Sequence, residues 1–223
     1  MYAVLDEIRD LLQTNLDTVH AAESGTTTTN IKVSAHGLVT GDVIVNTTRE
    51  NATRQITVVD ANNFTVDAVT SQTSGDSITF HKFKKYYVGK IDDKTVIPVN
   101  DLPLLSVYGE TTDLVDVLTT SRDKWERRIV IQIFTSSFGQ VTSAENSGDL
   151  LAQKQIMDLM EELDQNATPK STSIVGVLRR NIRLTYSLFN DNISINYDDY
   201  KLDKRMYFRG TLKTTVTKFN SRS

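Results

Sequence analysis

The chain has no cysteine, only three prolines and ten glycines, and a single tryptophan in 223 residues. Without cysteine there are no disulfide frameworks, no thiol nucleophiles and no thiolate-ligated zinc, so stability has to come from buried apolar side chains. A chain of this length supplies enough of them for one sizeable domain, or for a core domain with a small companion. Histidine is scarce as well: His20, His36 and His81 lack the spacing that sets two imidazoles on one face, and no metal site is expected. No G-x-S-x-G, P-loop or G-x-G-x-x-G occurs, which leaves no nucleophile elbow and no phosphate cradle. A charge excess is also missing. Lys plus Arg number 25 against 28 Asp plus Glu, the net charge is -3 and the pI is near 5.6, so no global positive field draws the chain onto nucleic acid. No apolar run approaches the roughly 18 to 20 residues that a membrane span needs, and MYAVLDEIRDLLQ carries acids where a signal peptide has none. The expectation is a soluble, intracellularly made protein that is not an enzyme, uses no cofactor and has no membrane partner.

What is present is a change of periodicity along the chain. From Ala3 to about His20, Val4, Leu5, Ile8, Leu11, Leu12, Leu16 and Val19 recur at steps of three and four, which predicts an amphipathic helix covering a sheet. After the polar linker ESGTTTT the period becomes two. NIKVSAH, GDVIVN, RQITVVD, FTVDAV and DSITFHKF read as short strands bounded by Gly, Asp and Asn turns, a compact all-β unit. Val43, Ile56, Val58, Phe64 and Val66 are its expected core, and His36 is expected to fix one of its turns.

Beyond it, YYVGKIDD and KTVIPVND read as a strand pair turned at Asp92 and Asp93, and LPLLSVYGE continues with Pro103 at a strand start. KWERRIVIQIFTSS alternates with Ile129, Ile131 and Ile133 on one side and Val130, Gln132 and Phe134 on the other, as in the middle of a covered sheet. NSGDLLAQKQIMDLMEELDQN predicts a helix capped at Ser147 or Asp149, with Leu151, Ile156, Leu159, Met160 and Leu163 on its apolar side. From Ser171 to Phe189 a short helix followed by a strand is expected. RMYFRGTLKTTVTKF reads as a long antiparallel strand, with Met206, Phe208, Leu212 and Val216 inward. Tyr207, Arg209, Thr211, Lys213, Thr215 and Thr217 form its wet or partner-facing side. The fold class expected is α+β: an antiparallel or mixed sheet flanked by helices over residues 1–26 and 84–223, with a small β-barrel-like domain inserted at 27–83.

The residues that carry charge onto a surface fall into three groups. SRDKWERR brings Trp125, Arg127 and Arg128, LRRNIR brings Arg179, Arg180 and Arg183, and the polar face of the last strand brings Arg209 and Lys213. On an acidic chain such clusters read as intersubunit or solvated faces before nucleic-acid contacts, and Trp125 reads either as an interface anchor or as core. The paired acids Asp92-Asp93 and Asp198-Asp199 lack the further ligands of a calcium loop and read as solvated turns.

His36-Gly37, Thr40-Gly41-Asp42, Val59-Asp60-Ala61-Asn62 and Phe64 form a signature that resembles the small β modules inserted into many tailed-bacteriophage virion proteins. Those modules are similar to the catalytic-cysteine-half fold of ubiquitin-activating enzymes, and the likeness brings no enzyme function with it. The remainder, an amino-terminal helix, strands through LPLLSVYGE and RRIVIQIF, the helix through LLAQKQIMDLMEEL and terminal antiparallel strands, resembles phage tail terminator or tail-completion proteins in the order of its elements. That resemblance implies a hexameric ring that caps the tail tube, ends its polymerisation and joins the tail to the head connector. It implies as partners further copies of the chain, the tail tube protein and head-tail connector or neck proteins, with DNA only passing through the ring lumen. The location implied is the virion tail or neck, after assembly in the host cytoplasm. Two other readings stand beside it: a head-tail connector or neck adaptor, with a ring of twelve, and a module that binds a host surface through the β insert.

Overall fold

A computed structural model of the chain describes residues 2–49, 52–67, 72–119, 122–136, 148–161, 172–184, 188–190, 192–202 and 205–221. In chain order the elements are helix α1 (Tyr2–Leu16) and strands β1 (Thr18–Ala21), β2 (Asn30–Lys32), β3 (Val43–Asn46), β4 (Thr53–Val58), β5 (Asn63–Val66), β6 (Ser77–Phe80) and β7 (Lys85–Val88). After a 3-10 turn (Val99–Asp101) come β8 (Leu104–Thr119), β9 (Arg122–Ser136), helices α2 (Gly148–Glu161) and α3 (Ile174–Arg180), and strands β10 (Leu188–Phe189), β11 (Ser194–Leu202) and β12 (Arg205–Ser221). The class is α+β. The chain divides into two compact units, Met1–Leu16 with Lys85–Ser223, and Asp17–Lys84.

The smaller unit is one antiparallel sheet in the order β1-β6-β3-β4-β5-β2. Its two ends meet where the Glu23 amide donates to the Lys32 carbonyl at 2.8 Å, so the sheet curls round a single core. Alternate residues supply that core, Ile31, Val33, Ile44, Ile56, Phe64, Val66, Ile78 and Phe80, all buried. Turn chemistry fixes the register. The Asp60 carboxylate accepts from the Asn62 amide at 2.7 Å and from Asn63, and these bonds hold it below its ordinary range. His36 accepts from the Leu38 amide at 2.9 Å through Nδ1, which leaves Nε2–H to donate to the Asp60 carbonyl at 2.9 Å. The ring therefore pins one loop to the next turn. Gly41 adopts φ +98°, a left-handed conformation that side chains disfavour.

A polar knot closes the other loops. Asp76 is buried and accepts from Asn46 Nδ2, Arg49 Nε and the Thr73 amide, each at 3.0 Å. Burial pushes its carboxyl up, but the bonds from Arg49, Asn46 and Thr73 outweigh it and hold the group at about 2. Where the chain enters and leaves this unit, Asp17 accepts from His81 Nδ1 at 2.6 Å and from the Lys82 amide at 2.9 Å.

The larger unit is built on three long strands. β9 pairs with β12 from Arg122–Ser221 to Ser136–Tyr207, and with β8 on its other side through three register shifts between Gly109 and Thr119. β7 joins β8 in parallel, while β10 and β11 line the outer edge of β12, giving the order β10-β12-β9-β8-β7 with β11 on β12. Register sets Leu105, Val107, Ile129, Ile131, Ile133 and Leu212 on one face, all buried. α2 packs on β9 and β12, and α1 and α3 pack beside it. The fit is close: a Cβ on Gly210 would stand 2.8 Å from Ile156 and 3.0 Å from Met160. α1 buries Leu5, Ile8, Leu12 and Leu16, the stripe its spacing predicts. Among the described residues no helix is long and apolar enough to cross a membrane.

Several expectations need correction. The first helix ends at Leu16, and Thr18–Ala21 is a strand paired with Ser77–Phe80, so the smaller unit begins at Asp17 and not at 27. Val19, expected on the buried helix face, is 66% exposed. A four-residue strand whose partner lies some sixty residues on has no local signature. KTVIPVND forms no strand: Ile91 and Ile97 drop onto the second sheet face beside Leu102, Leu104, Phe134 and Tyr207, while Thr95 turns back on Asp92. The supposed wet side of the last strand is thereby covered at Tyr207, which is fully buried and donates to the Ile97 carbonyl at 3.1 Å, and Thr217 is buried too. Asp198 and Asp199 lie within β11, not in a turn. Of the strand expected after α3, the described residues show β10 and a bridge from Arg183 to Leu188. Ser147, Glu162, Leu163 and Tyr186 lie outside the described residues.

Candidate functional site

Strand pairing gathers the richest cluster of charged groups at Arg209. It faces Asp198 across the β11–β12 ladder and donates to it through Nε at 2.9 Å and Nη2 at 2.5 Å, with Asp93 as a second carboxylate partner on the loop after β7. The guanidinium lies 5.5 Å from the centre of the Tyr200 ring, which stacks on Tyr207 at 5.3 Å. The bonds to Asp198 raise the Arg209 pKa further, and burial pushes the Tyr200 phenol up to about 12. With two carboxylates and a ring in place, Arg209 ties β11 and the 89–103 loop to the sheet.

The other residues singled out from the sequence separate. Lys213 shares the Arg209 face and bonds Glu110 at 3.0 Å. Arg128, exposed, sits opposite Thr215 on that same face. Trp125 and Arg127 lie on the opposite, helix-bearing face of β9, half-buried, and the Arg127 stem runs along Gly109. Arg179 and Arg180 end α3, where their charge suits the carboxyl-terminal pole of the helix, and with Arg183 they flank Ile182, which is 52% exposed. These three exposed arginines follow one another within five residues, and Arg179 and Ile182 line a hollow with Leu178, Phe189, Ile193 and Thr214.

Sequence reasoning missed a second hollow. Between α2 and β11 a cavity of about 240 Å³ is lined by Ile156, Met157, Tyr197, Phe208, Gln153 and the edge of the Arg209 cluster. Met157 is 50% and Tyr197 37% exposed, and the Tyr197 hydroxyl donates to Glu161 at 2.5 Å. Burial, then the bond to Glu161, raises the Tyr197 pKa. SINYDDYKL gave little sequence signal for it, because Ile195 and Tyr197 alternate in one phase and Tyr200 and Leu202 in the other; the hollow follows from the pairing of β11 with β12.

Among the described residues no three His, Asp or Glu side chains gather as a metal site would require. The geometry offers surfaces and charge pairs for docking. No protein-family model matches the chain, and no curated protein is similar to it.

Proposed function

We propose that the chain is a structural subunit of a tailed-bacteriophage tail, specifically the terminator, acting as a hexameric ring that caps the tail tube, ends its polymerisation and joins it to the head connector. The observation that carries this reading is the β8-β9-β12 sheet, with strands of 15 to 17 residues. In the described residues β7, β10 and β11 pair with only part of its length, so strand edges and faces remain for copies of the chain and for the tube. The small β unit, with the signature that resembles inserted virion modules, is a spacer or attachment surface on the outside of that ring. Its partners are then the tail tube protein and the connector or neck proteins, its location is the virion, and DNA meets it only in passing through the lumen. The role asks for no catalytic group and no cofactor.

Native mass spectrometry of purified protein across a range of salt, with negative-stain imaging beside isolated tail tubes, tests the reading. The expected result is a closed hexamer seated on tube ends. A dodecamer that ignores tubes assigns the chain to the connector or neck adaptor. A monomer that binds cell-surface glycan assigns the function to the β unit.

A further inference from the structure

We propose that the arginine patch after α3 seats in the α2–β11 hollow of a second copy of this chain, a contact that rests on the assembly reading above and specifies it. The two surfaces match in chemistry. The patch presents one half-exposed aliphatic side chain, Ile182, between Arg179, Arg180 and Arg183, all exposed. The hollow presents apolar walls, Ile156, Met157, Tyr197 and Phe208, with Glu161, Asp198 and Asp199 at its edge against the single guanidinium of Arg209. Arg209 and Asp198 compensate one another, with Asp93 as a further partner of the guanidinium, so Asp199 and Glu161 are the acids the rim offers. An apolar anchor in a small hollow, ringed by opposite charges, is the arrangement that concentrates binding at a protein interface.

The two surfaces belong to the same compact unit and lie on the helix-bearing side of its sheet. Ile182 lies beside Thr214 of β12 and does not line the α2–β11 hollow, which meets the strand at Gly210 opposite Tyr197, a separation of about 13 Å along β12 at the rise of a strand. One molecule therefore does not satisfy its own hollow, whereas a neighbour does. Ile182 and Met157 are each about half exposed in the single chain, and both are covered when the patch of one copy enters the hollow of the next. A second copy is the occupant favoured because the sequence supplies both halves of the complement.

The test uses full-length protein and three variants, R180E/R183E, D199R and I182D, followed by sedimentation velocity and native mass spectrometry at low and high salt. Each substitution is at an exposed position, and far-UV circular dichroism checks the fold; if R180E/R183E does not fold, D199R and I182D decide. Each variant is expected to self-associate at least about tenfold more weakly than the natural chain. An equimolar mixture of R180E/R183E with D199R is expected to regain assembly, because each copy then meets the opposite sign. A ring that all three variants form unchanged, or a mixture that stays dissociated, overturns the contact and leaves the terminator reading standing. A natural-sequence dimer that the variants break and the mixture rebuilds establishes the contact and overturns the ring. A chain that is monomeric in all conditions, at tube ends included, overturns both.

Discussion

At the scale of single residues the smaller unit depends on Asp76, whose carboxylate is buried and receives bonds from Asn46, Arg49 and Thr73. A carboxyl held at about 2 when folded, against an ordinary 3.8, contributes stability that is fully present above the ordinary value. That stability is lost as pH falls from about 4 towards 2. Asp76→Asn keeps the shape but removes the charge that draws these donors, and is expected to cost about 1–3 kcal/mol. Urea denaturation at pH 7 checks the loss, and a pH series from 5 to 2 checks the sign: the variant should lose less than the natural chain over that window. Equal losses in both would mean that Asp76 is not the group responsible. Little of this was legible in the sequence, because Asn46, Arg49, Thr73 and Asp76 are brought together by loops and not by any local pattern. His36 was legible as a turn residue, since its bond with the Leu38 amide is local; its bond to the Asp60 carbonyl, 24 residues on, was not.

At the scale of elements, whatever repeats at short range could be read and whatever depends on distant pairing could not. The stripe Leu5, Ile8, Leu12 and Leu16 and the alternation of Ile129 to Phe134 fixed one helix and the central strand. Thr18–Ala21 gave no sign of its pairing with β6, and Thr111–Thr119 none of extending β8 so far. The loop over the second sheet face hid Tyr207 for the same reason: alternation says which residues share a face, not what covers it. The candidate arginines were visible as runs of charge, but their assortment between the two faces of β9 and β12 follows only from register. Helix α3 offers a check at this scale. It has seven residues, too few to hold together by propensity, and it is started by Ser173, fully buried, whose hydroxyl accepts from the Gly176 amide at 3.2 Å. Ser173→Ala is expected to lower stability by about 1 kcal/mol and to speed amide exchange at the start of α3. An unchanged exchange rate there would mean that packing of Ile174, Val177 and Leu178 alone holds the helix.

At the scale of the whole molecule each of the two compact units buries its own apolar side chains among the described residues. Phe64, Ile44 and Ile78 belong to one, and Ile131, Ile133 and Leu212 to the other. Small cores enclosed in this way unfold as separate cooperative units when each satisfies its own backbone bonds. The smaller unit does so by closing its sheet at Glu23 and Lys32 and by clipping its two ends together at Asp17, His81 and Lys82. Gly210→Ala probes the other core, because its new methyl would press on Ile156 and Met160 of α2, an overpacking expected to cost about 1–3 kcal/mol. Hydrogen exchange followed by mass spectrometry then separates the two. Asp76→Asn should weaken protection in β3 and β6 and leave β9 as it was, and Gly210→Ala should weaken β9, β12 and α2 and leave β3 and β6. If either substitution lowered protection in both units together, the chain would be one cooperative body. An insert that unfolds with its host is an integral part of the subunit; one that keeps its own stability can be carried on the outside of an assembly without taking part in its contacts.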